Sequence, residues 1–339
     1  MHDRLRSTAD RAARWLGILA RRERTLERGL TVLMYHRVLP DERCTDYPLP
    51  SLAMPVSAFR AQVRWLAARA EVLPLSAALE SPPSPRSRRR FAITLDDGYE
   101  DSARCAAPVL EEAGVRGTFY VTTGFVGTRD LLWFDAAVQL FERVAEPRRR
   151  EVLHGHASAR ALGGSPADGR VSSWIGLLKR CSAVDRRAIL AELTAAAGGP
   201  LPADGYEAMS VSDVTALHAR GHEIGSHTVT HALLPQLDDE ALQSETHGAR
   251  ETLRGWLGCD VPGFCYPNGD FDERVASAVA RAGHRHACTT MDGIHAAQDD
   301  PFRIRRVDVV PARVLDRRRR FDETAFRREL CGLYRRRAS

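Results

Sequence analysis

The segment FAITLDDGYEDS, residues 91–102, holds a short apolar run that ends in two adjacent carboxylates and a glycine. The alternation predicts a buried strand, with Asp96 and Asp97 where it leaves the core. Neighbouring strand residues point in opposite directions, so the two acids need not share one role. Gly98 permits a sharp turn, and the helix expected over Ser102–Glu112 completes a βα unit. An isolated Asp-Asp-Gly is more often a surface turn with a helix cap, so this segment alone does not establish a site.

A second candidate segment is Gly221–His231, which reads GHEIGSHTVTH. The spacing of His227 and His231 predicts two imidazoles on one side of a helical turn, within reach of one metal ion. With 12 histidines in 339 residues such spacings also arise by chance, but a strand is expected at Glu223–Gly225, directly before them. Together with Asp97 they would form a His2-Asp site with room for water.

The two motifs together resemble those of the polysaccharide deacetylases, carbohydrate esterases that remove acetyl groups from N-acetylated sugars. Thr94–Gly98 is similar to the family's Thr-Phe-Asp-Asp-Gly segment, which supplies a catalytic base and then a metal ligand, with Leu95 as the one difference. His227–His231 is similar to the family's His-Ser/Thr-x-x-His motif. The resemblance covers roughly residues 30–310. It implies Asp96 as the base and one divalent metal ion, zinc or another transition metal, whose ligands are Asp97, His227 and His231.

The candidate for the catalytic acid is His36, at the end of the apolar segment Leu30–His36. A lone histidine after a strand is usually a packed or capping residue. However, the sequence MYHRV resembles the opening strand of the exopolysaccharide (poly-N-acetylglucosamine) deacetylases, in which a histidine here is the acid. Other family members carry this histidine in a C-terminal Leu-x-His motif, and the corresponding strand here, Arg303–Val307, contains none. A buried histidine that hydrogen-bonds a neighbouring loop is the alternative to the catalytic role.

The segment GFCYPNG, residues 263–269, matches the family's Arg-x-Pro-Tyr motif only in part. Pro267 fits, whereas Cys265 stands at the arginine position and Asn268 at the aromatic one. The motif implies that Tyr266 and Pro267 support the site and that the backbone N–H of Asn268 is an oxyanion donor, a role that needs only an amide.

The departure at the arginine position removes the expected partner of Asp96. Arg306, on the last strand, is the nearest substitute for that partner. In so arginine-rich a chain, a structural salt bridge is the commoner role of any single arginine.

Strands are expected near residues 30, 71, 91, 117, 223, 263, 286 and 304, and helices alternate with them. This order predicts an α/β fold, a distorted (β/α) barrel with seven or eight strands and its catalytic residues at the carboxyl ends of the strands. The barrel is expected over residues 30–315, with a solvent loop at 81–90. A helical insertion is expected at about 131–205, where the pattern changes to charged helices.

The two termini are basic. Residues 1–29 predict an amphipathic helix that packs on the barrel or, alternatively, lies on an anionic membrane surface. Residues 316–339 predict a basic C-terminal helix and tail, with the helix over Glu323–Arg337. The apolar run in the first segment is too short for a signal peptide or membrane span, so we expect a cytoplasmic location, with the inner face of the membrane as the alternative.

The composition restricts the classes of molecule that the protein is expected to bind. The net charge is +5, but among 49 basic residues only Lys179 is a lysine, and the basic runs lack interleaved aromatics. We therefore expect an acetylated glycan as substrate and no nucleic acid; the oligomeric state stays open. None of the 7 cysteines falls into a CxxC pair, so neither a disulfide framework nor a thiolate zinc site is expected.

Three functions fit these observations. The first is a metal-dependent N-deacetylase acting on an N-acetylhexosamine in a polysaccharide, oligosaccharide or lipid-linked glycan, which by resemblance implies exopolysaccharide biosynthesis. The second is an O-acetyl esterase or a non-sugar amidase on the same scaffold, which the missing arginine keeps open. The third is a catalytically silent carbohydrate-binding protein. The intact base and ligand positions favour the first.

Overall fold

The computed structural model of this protein describes residues 29–81, 89–164, 166 and 168–333, together with Gly17. The strands, in chain order, are β1 Leu30–Tyr35, β2 Arg37–Leu39, β3 Ala53–Pro55, β4 Glu71–Val72, β5 Arg90–Leu95, β6 Thr118–Val121, β7 Glu223–Ser226, β8 Gly263–Cys265, β9 His286–Cys288 and β10 Val307–Asp308.

The α-helices, in the same order, are α1 Val56–Ala67, α2 Leu75–Glu80, α3 Ala107–Glu112, α4 Trp133–Arg143, α5 Glu146–Gly155, α6 Ala157–Ala161, α7 Val171–Arg180, α8 Ala183–Ala196, α9 Val211–Ala219, α10 Asp239–Gln243, α11 Ala249–Leu257, α12 Glu273–Arg281, α13 Pro311–Val314 and α14 Glu323–Leu330. Short π-helical turns precede α3 and α11.

The strands form a curved parallel sheet in the order β10-β1-β5-β6-β7-β8-β9. β4 pairs with the start of β5, and β6 pairs with its end. Ile304 bridges Cys288 of β9 in parallel, and three residues later Val307 pairs with Leu33 of β1. The segment before β10 therefore lies between the two ends of the sheet. The predicted α/β fold, a distorted (β/α) barrel, is confirmed.

Alternation along the strands separates two layers of core. On β1, Val32 belongs to a cluster with Tyr120, Cys265 and other inward residues. Its neighbour Leu33 belongs to the larger cluster that includes residues of α1 and α3. Because successive side chains on a strand point to opposite faces, each strand contributes to both layers. Because both faces of the strands contribute to the core, the functional side chains lie at the ends of the strands.

The expected helical insertion is present as α4–α8 and has an apolar cluster of its own. Trp174 of α7 is fully buried there, and its indole N–H donates to the carbonyl of Ala137 on α4 at 2.9 Å. Tryptophan can be buried so completely because its polar atom is paired. The division of the chain into domains stays a prediction.

Three expectations of local structure are wrong. Residues 227–231 form an irregular loop and not a helical turn, with Thr228 and His231 at φ of 70° and 57°. The last strand begins at Val307, directly after Arg306. The C-terminal helix ends at Leu330, and Gly332 follows at φ 66°, a conformation that ends helices.

Some predictions lie outside the described residues. They are the N-terminal amphipathic helix, of which only Gly17 and residue 29 are described, residues 82–88 of the predicted loop, and the tail at 334–339. Arg90, expected at the end of that loop, is buried at the start of β5. Within the described part of the chain, no helix combines the length and the apolar character needed to cross a membrane.

Candidate active site

The two adjacent acids leave the end of β5 in different directions. Asp96 is 2% exposed and its carboxylate contacts Arg306, whereas Asp97 is 1% exposed and its carboxylate contacts two histidines. Asp97 has φ 82°, a left-handed conformation that is strained for a residue with a Cβ. Strain of this kind persists where the surrounding structure holds it and is concentrated at functional sites.

Asp97, His227 and His231 converge on one point although the histidines lie on a different loop. The Nε2 atoms of His227 and His231 lie 3.4 and 3.3 Å from Oδ1 of Asp97. The three potential ligand atoms lie within 4.8 Å of one another, and all three residues are buried. The structure thus brings together the predicted ligands.

The protonation pattern tests whether a metal ion fits this point. Nδ1 of His227 lies 2.8 Å from the carbonyl oxygen of Cys265, so it donates, and in the neutral ring Nε2 then carries a lone pair. That lone pair faces a carboxylate oxygen, an arrangement that a cation between them stabilises. Burial lowers the pKa of His231, which favours the neutral ring that binds metals. A divalent ion therefore fits the donor set.

Asp97 offers further support for a cation. Burial raises the pKa of its carboxyl, but the neighbouring imidazoles of His227 and His231 outweigh burial, so that the pKa lies well below its ordinary value. The second oxygen, Oδ2, is buried without a hydrogen-bond partner among the described residues. An unpaired buried carboxylate oxygen is costly, and it is available to an ion.

The loop that carries the histidines is held by Glu245, a residue that the sequence analysis did not single out. Its carboxylate accepts hydrogen bonds from the backbone N–H groups of Val229 and Thr230 at 2.8 and 2.9 Å and from the Thr230 hydroxyl at 2.5 Å. These hydrogen bonds fix a loop that has no helical hydrogen bonds to hold it. The only sequence signal is an acid on the apolar side of a helix.

Asp96 and Arg306 form a buried two-point ion pair. Nη1 of Arg306 lies 2.8 Å from Oδ1 and Nη2 lies 2.8 Å from Oδ2. Burial raises the pKa of Asp96, but the Arg306 guanidinium outweighs it, so the net shift is downward and the carboxylate is ionised at neutral pH. The guanidinium is itself positioned through Nε, which donates to the Thr289 carbonyl at 2.8 Å. Arg306 thus stands where a partner of Asp96 was expected.

Cys265 explains how Arg306, which directly precedes β10, reaches Asp96. Its small thiol leaves space beside Asp96, and Nη2 of Arg306 lies 3.1 Å from its Sγ. Cys265 also completes a second possible metal group with Asp96 and His227. Burial raises the pKa of this thiol well above its ordinary value, and Asp96 is already paired, so this group is the poorer metal site.

His36 directly follows β1 and lines the same cavity as Asp96 and Asp97. The cavity has a volume of about 330 Å³. His36 is only partly buried, and among the described residues its ring has no hydrogen-bond partner. A loop-bonded histidine, the alternative considered from the sequence, does not match this position.

The turn after β8 places Asn268 at the cavity with φ 59°. Among the described residues, none accepts a hydrogen bond from its backbone N–H, which leaves that group available to a substrate. The two residues before it, Tyr266 and Pro267, are buried. The Tyr266 hydroxyl donates to the Phe302 carbonyl at 3.1 Å, so this side chain supports the turn.

The helical insertion forms one wall of the cavity. The sequence analysis predicted the insertion but not this role. Trp133 and Phe134 of α4 and Ile175 and Lys179 of α7 line it opposite the barrel. The indole N–H of Trp133 donates to the backbone carbonyl of His231 at 3.1 Å. An aromatic and polar wall of this kind suits a ligand with both apolar faces and hydrogen-bonding groups.

Comparison with known families agrees with this geometry. The family model described as polysaccharide deacetylase matches residues 84–159 and 191–287, more than half of the chain. The chain belongs to the polysaccharide deacetylase family. It is accordingly a deacetylase, a hydrolase acting on carbon–nitrogen bonds. The residues between the matched segments lie in the insertion.

Individual relatives are distant. The Bacillus subtilis (strain 168) protein named "Putative polysaccharide deacetylase YxkH" is 20% identical over 285 residues, which cover 83% of this chain and 72% of that protein. Among solved structures, the Streptococcus pyogenes deacetylase PplD in complex with acetate is 16% identical, with a TM-score of 0.53 over 84% of this chain and 94% of that one.

Two further structures show the same fold. IcaB from Ammonifex degensii is 19% identical, with a TM-score of 0.52 over 84% of this chain and 93% of that one. The polysaccharide deacetylase BC0361 from Bacillus cereus is 17% identical, with a TM-score of 0.53 over 82% of this chain, which spans 64% of that one.

Proposed function

We propose that this protein is a metal-dependent enzyme that removes N-acetyl groups from N-acetylhexosamine residues of a polysaccharide, oligosaccharide or lipid-linked glycan. The observation that carries the proposal is the convergence of Asp97, His227 and His231 beside the ionised Asp96 in one cavity. A carboxylate and two imidazoles suit zinc, which we propose as the metal, with other divalent transition metals as alternatives.

We assign Asp97, His227 and His231 as the metal ligands. When bound, the ion supplies Lewis acidity and makes water a nucleophile at neutral pH. Asp96 accepts the proton of the attacking water at its carboxylate, and Arg306 keeps that carboxylate ionised and oriented.

The remaining roles follow from the charges that the reaction creates. The carbonyl oxygen of the acetyl group gains negative charge on attack, and we assign the backbone N–H of Asn268, a residue that lines the cavity, to donate to it. Cleavage of the carbon–nitrogen bond expels an amine, which is a poor leaving group unless it is protonated. His36 is the group we assign to donate that proton, because it faces the same cavity.

The O-acetyl esterase and amidase alternatives rested on the missing arginine partner of Asp96. Because Arg306 contacts Asp96, that reason no longer favours them. A role in exopolysaccharide biosynthesis is proposed by resemblance. The cytoplasmic location and the contact with an anionic membrane stay predictions.

One experiment separates the candidate functions. The purified protein is analysed for metal and assayed for acetate release from an N-acetylglucosamine oligomer and from an O-acetylated sugar. Bound divalent metal with acetate from the N-acetylated oligomer supports the proposal. Release from the O-acetylated sugar alone would identify an esterase, and absence of metal and of any release would identify a silent binding protein.

A further inference from the structure

Lys179 is the only lysine among the 49 basic residues of the chain. It lies in the last turn of α7, in the insertion, and its side chain lines the cavity opposite the metal ligands. Its partly buried position lowers its pKa, and no carboxylate oxygen of the described residues lies within 4.0 Å of its nitrogen. This cation is therefore not placed to form a structural ion pair.

The ammonium group instead donates a hydrogen bond to Oδ1 of Asn268. The other end of this amide is also held, because Nδ2 donates to Asp270 at 2.6 Å. The Thr290 hydroxyl lies 3.4 Å from the Asn268 carbonyl oxygen and donates to it. Three contacts thus hold a residue with φ 59° whose own backbone N–H has no acceptor among the described residues.

The backbone of Lys179 is anchored as firmly as its side chain. Its carbonyl oxygen accepts a hydrogen bond from Nε2 of Gln236 at 2.6 Å. Arg186 of α8 donates to the other side of that amide at 2.8 Å. Gln236 lies in the segment that follows the histidine loop, so the end of α7 is tied to two loops of the barrel rim.

We propose that Lys179 is a positioning residue for the oxyanion donor. Its ammonium group holds the Asn268 side chain, so that the backbone N–H of Asn268 points into the cavity, where the acetyl oxygen gains charge. This inference rests on the proposed acetyl hydrolysis, and it makes the helical insertion a working part of the active site. A guanidinium is longer and planar, so arginine at this position does not reproduce the single-point contact.

The test compares Lys179→Met and Lys179→Arg with Arg180→Met, a control at the exposed neighbouring position outside this cavity. We expect Lys179→Met to lower kcat by roughly 10- to 100-fold, somewhat less than direct removal of an oxyanion donor. KM and metal content should stay near the wild-type values, because Lys179 acts on the transition state. Lys179→Arg should recover only part of kcat, and the control should match the wild type.

The decisive measurement uses Asn268→Gly, which removes the side chain that Lys179 holds but keeps the backbone N–H and tolerates positive φ. If Lys179 acts through Asn268, adding Lys179→Met to this variant lowers kcat by less than about 3-fold, because contacting residues are not additive. A full additional loss would mean that Lys179 contacts the substrate itself and would overturn the proposal. Loss of metal or a lower melting temperature in Lys179→Met would overturn it too, since both indicate a structural role.

The assays use an N-acetylglucosamine oligomer and 4-nitrophenyl acetate. Both reactions develop an oxyanion, so Lys179→Met should slow both to a similar extent. If the wild-type enzyme cleaves only the aryl acetate, the proposed N-deacetylation is contradicted. The effect of Lys179→Met can then still be measured on the aryl acetate. Loss on the oligomer alone would contradict the positioning role.

Discussion

Two carboxylates at opposite ends of the barrel, Asp97 and Glu223, differ in how fully they are hydrogen-bonded. At the carboxyl ends of the strands, one oxygen of Asp97 has no hydrogen-bond partner among the described residues. At the amino ends, both oxygens of Glu223 are paired: they accept from the backbone and hydroxyl of Ser76 at 2.8 and 2.7 Å and from the Thr118 hydroxyl at 3.1 Å. His286 also approaches Glu223 at 3.6 Å.

Backbone strain follows the same division. Of the non-glycine residues with positive φ in the described chain, only Arg319 lies away from the carboxyl-end loops; the others are Asp97, Thr228, His231 and Asn268. Strained residues persist where the surrounding structure holds them and are concentrated at functional sites, whereas a carboxylate with both oxygens hydrogen-bonded contributes to stability. Substitutions at the carboxyl ends should therefore change activity, and those at the amino ends should change stability.

The largest effect is expected at the metal ligands. Asp97→Ala, His227→Ala and His231→Ala should each lose bound metal and activity together, by more than the roughly 10- to 100-fold that changes around a ligand typically cause. Metal analysis of each purified variant is the measurement, and the exposed His247→Ala is the control. Full metal content in all three variants would contradict the assignment.

A smaller loss is expected for Asp96→Asn, because Asp96 is assigned as a base and not as a ligand. Turnover should fall by roughly 10²- to 10⁴-fold while metal stays bound. Because Arg306 is left without a counter-charge, the variant should also be less stable, and its melting temperature should be recorded. A fully active variant would show that another group accepts the proton.

His36→Ala tests the acid assigned on the same rim. Protonation matters for an amine leaving group and little for a phenolate, so deacetylation of an N-acetylated sugar should fall by roughly 10²-fold or more. Hydrolysis of 4-nitrophenyl acetate should stay within a few-fold of the wild-type rate. Equal losses on both substrates, with a lower melting temperature, would indicate a structural histidine instead.

At the amino ends, Glu223→Gln should lower the free energy of unfolding by about 1–3 kcal/mol, because an amide N–H₂ replaces an oxygen that accepts hydrogen bonds. The kcat of the folded enzyme should not change. The matched control is Glu80→Gln, which removes an exposed pair with Arg285 and should change the free energy of unfolding by less than about 1 kcal/mol. A loss of kcat in Glu223→Gln would contradict the claim that substitutions at the amino ends change stability and not activity.

The smallest effect concerns Asp135 of α4, a buried carboxyl whose partner is the Tyr99 hydroxyl. Burial raises its pKa to about 7 from the ordinary value of 3.8. Between these values the folded protein retains a proton that the unfolded chain has released, so stability falls as the pH rises through this window. Relative to Asp135→Asn, the wild type should lose melting temperature between pH 5 and pH 8. If the melting temperatures of the wild type and Asp135→Asn change in parallel with pH, the raised pKa of Asp135 is contradicted.

Much of the fold was predictable because its signals are local. The apolar alternation at residues 91–95 and the turn residues that follow predict a strand and its end without knowledge of the rest of the chain. Parallel strands joined by helices then place every strand end on one rim. This is why residues as far apart as His36, Asp97 and His231 could be expected to meet.

The local conformation of the histidine loop was not predictable in this way. The spacing of His227 and His231 suggested a helical turn, but Glu245 binds the intervening backbone N–H groups and holds two residues in left-handed conformations. A carboxylate 14 residues beyond His231 decides the shape of the loop. Spacing alone does not reveal such a contact.

The sequence by itself determined the strand order along the chain, the position of the acids after β5 and the motif to which each candidate belongs, because these depend on neighbouring residues. Only the tertiary structure decided that Arg306 reaches Asp96 past the small Cys265, and that the insertion brings Lys179 to Asn268. Both contacts join residues on separate elements, and their geometry depends on how the sheet curves and how the insertion packs. No local pattern encodes those distances.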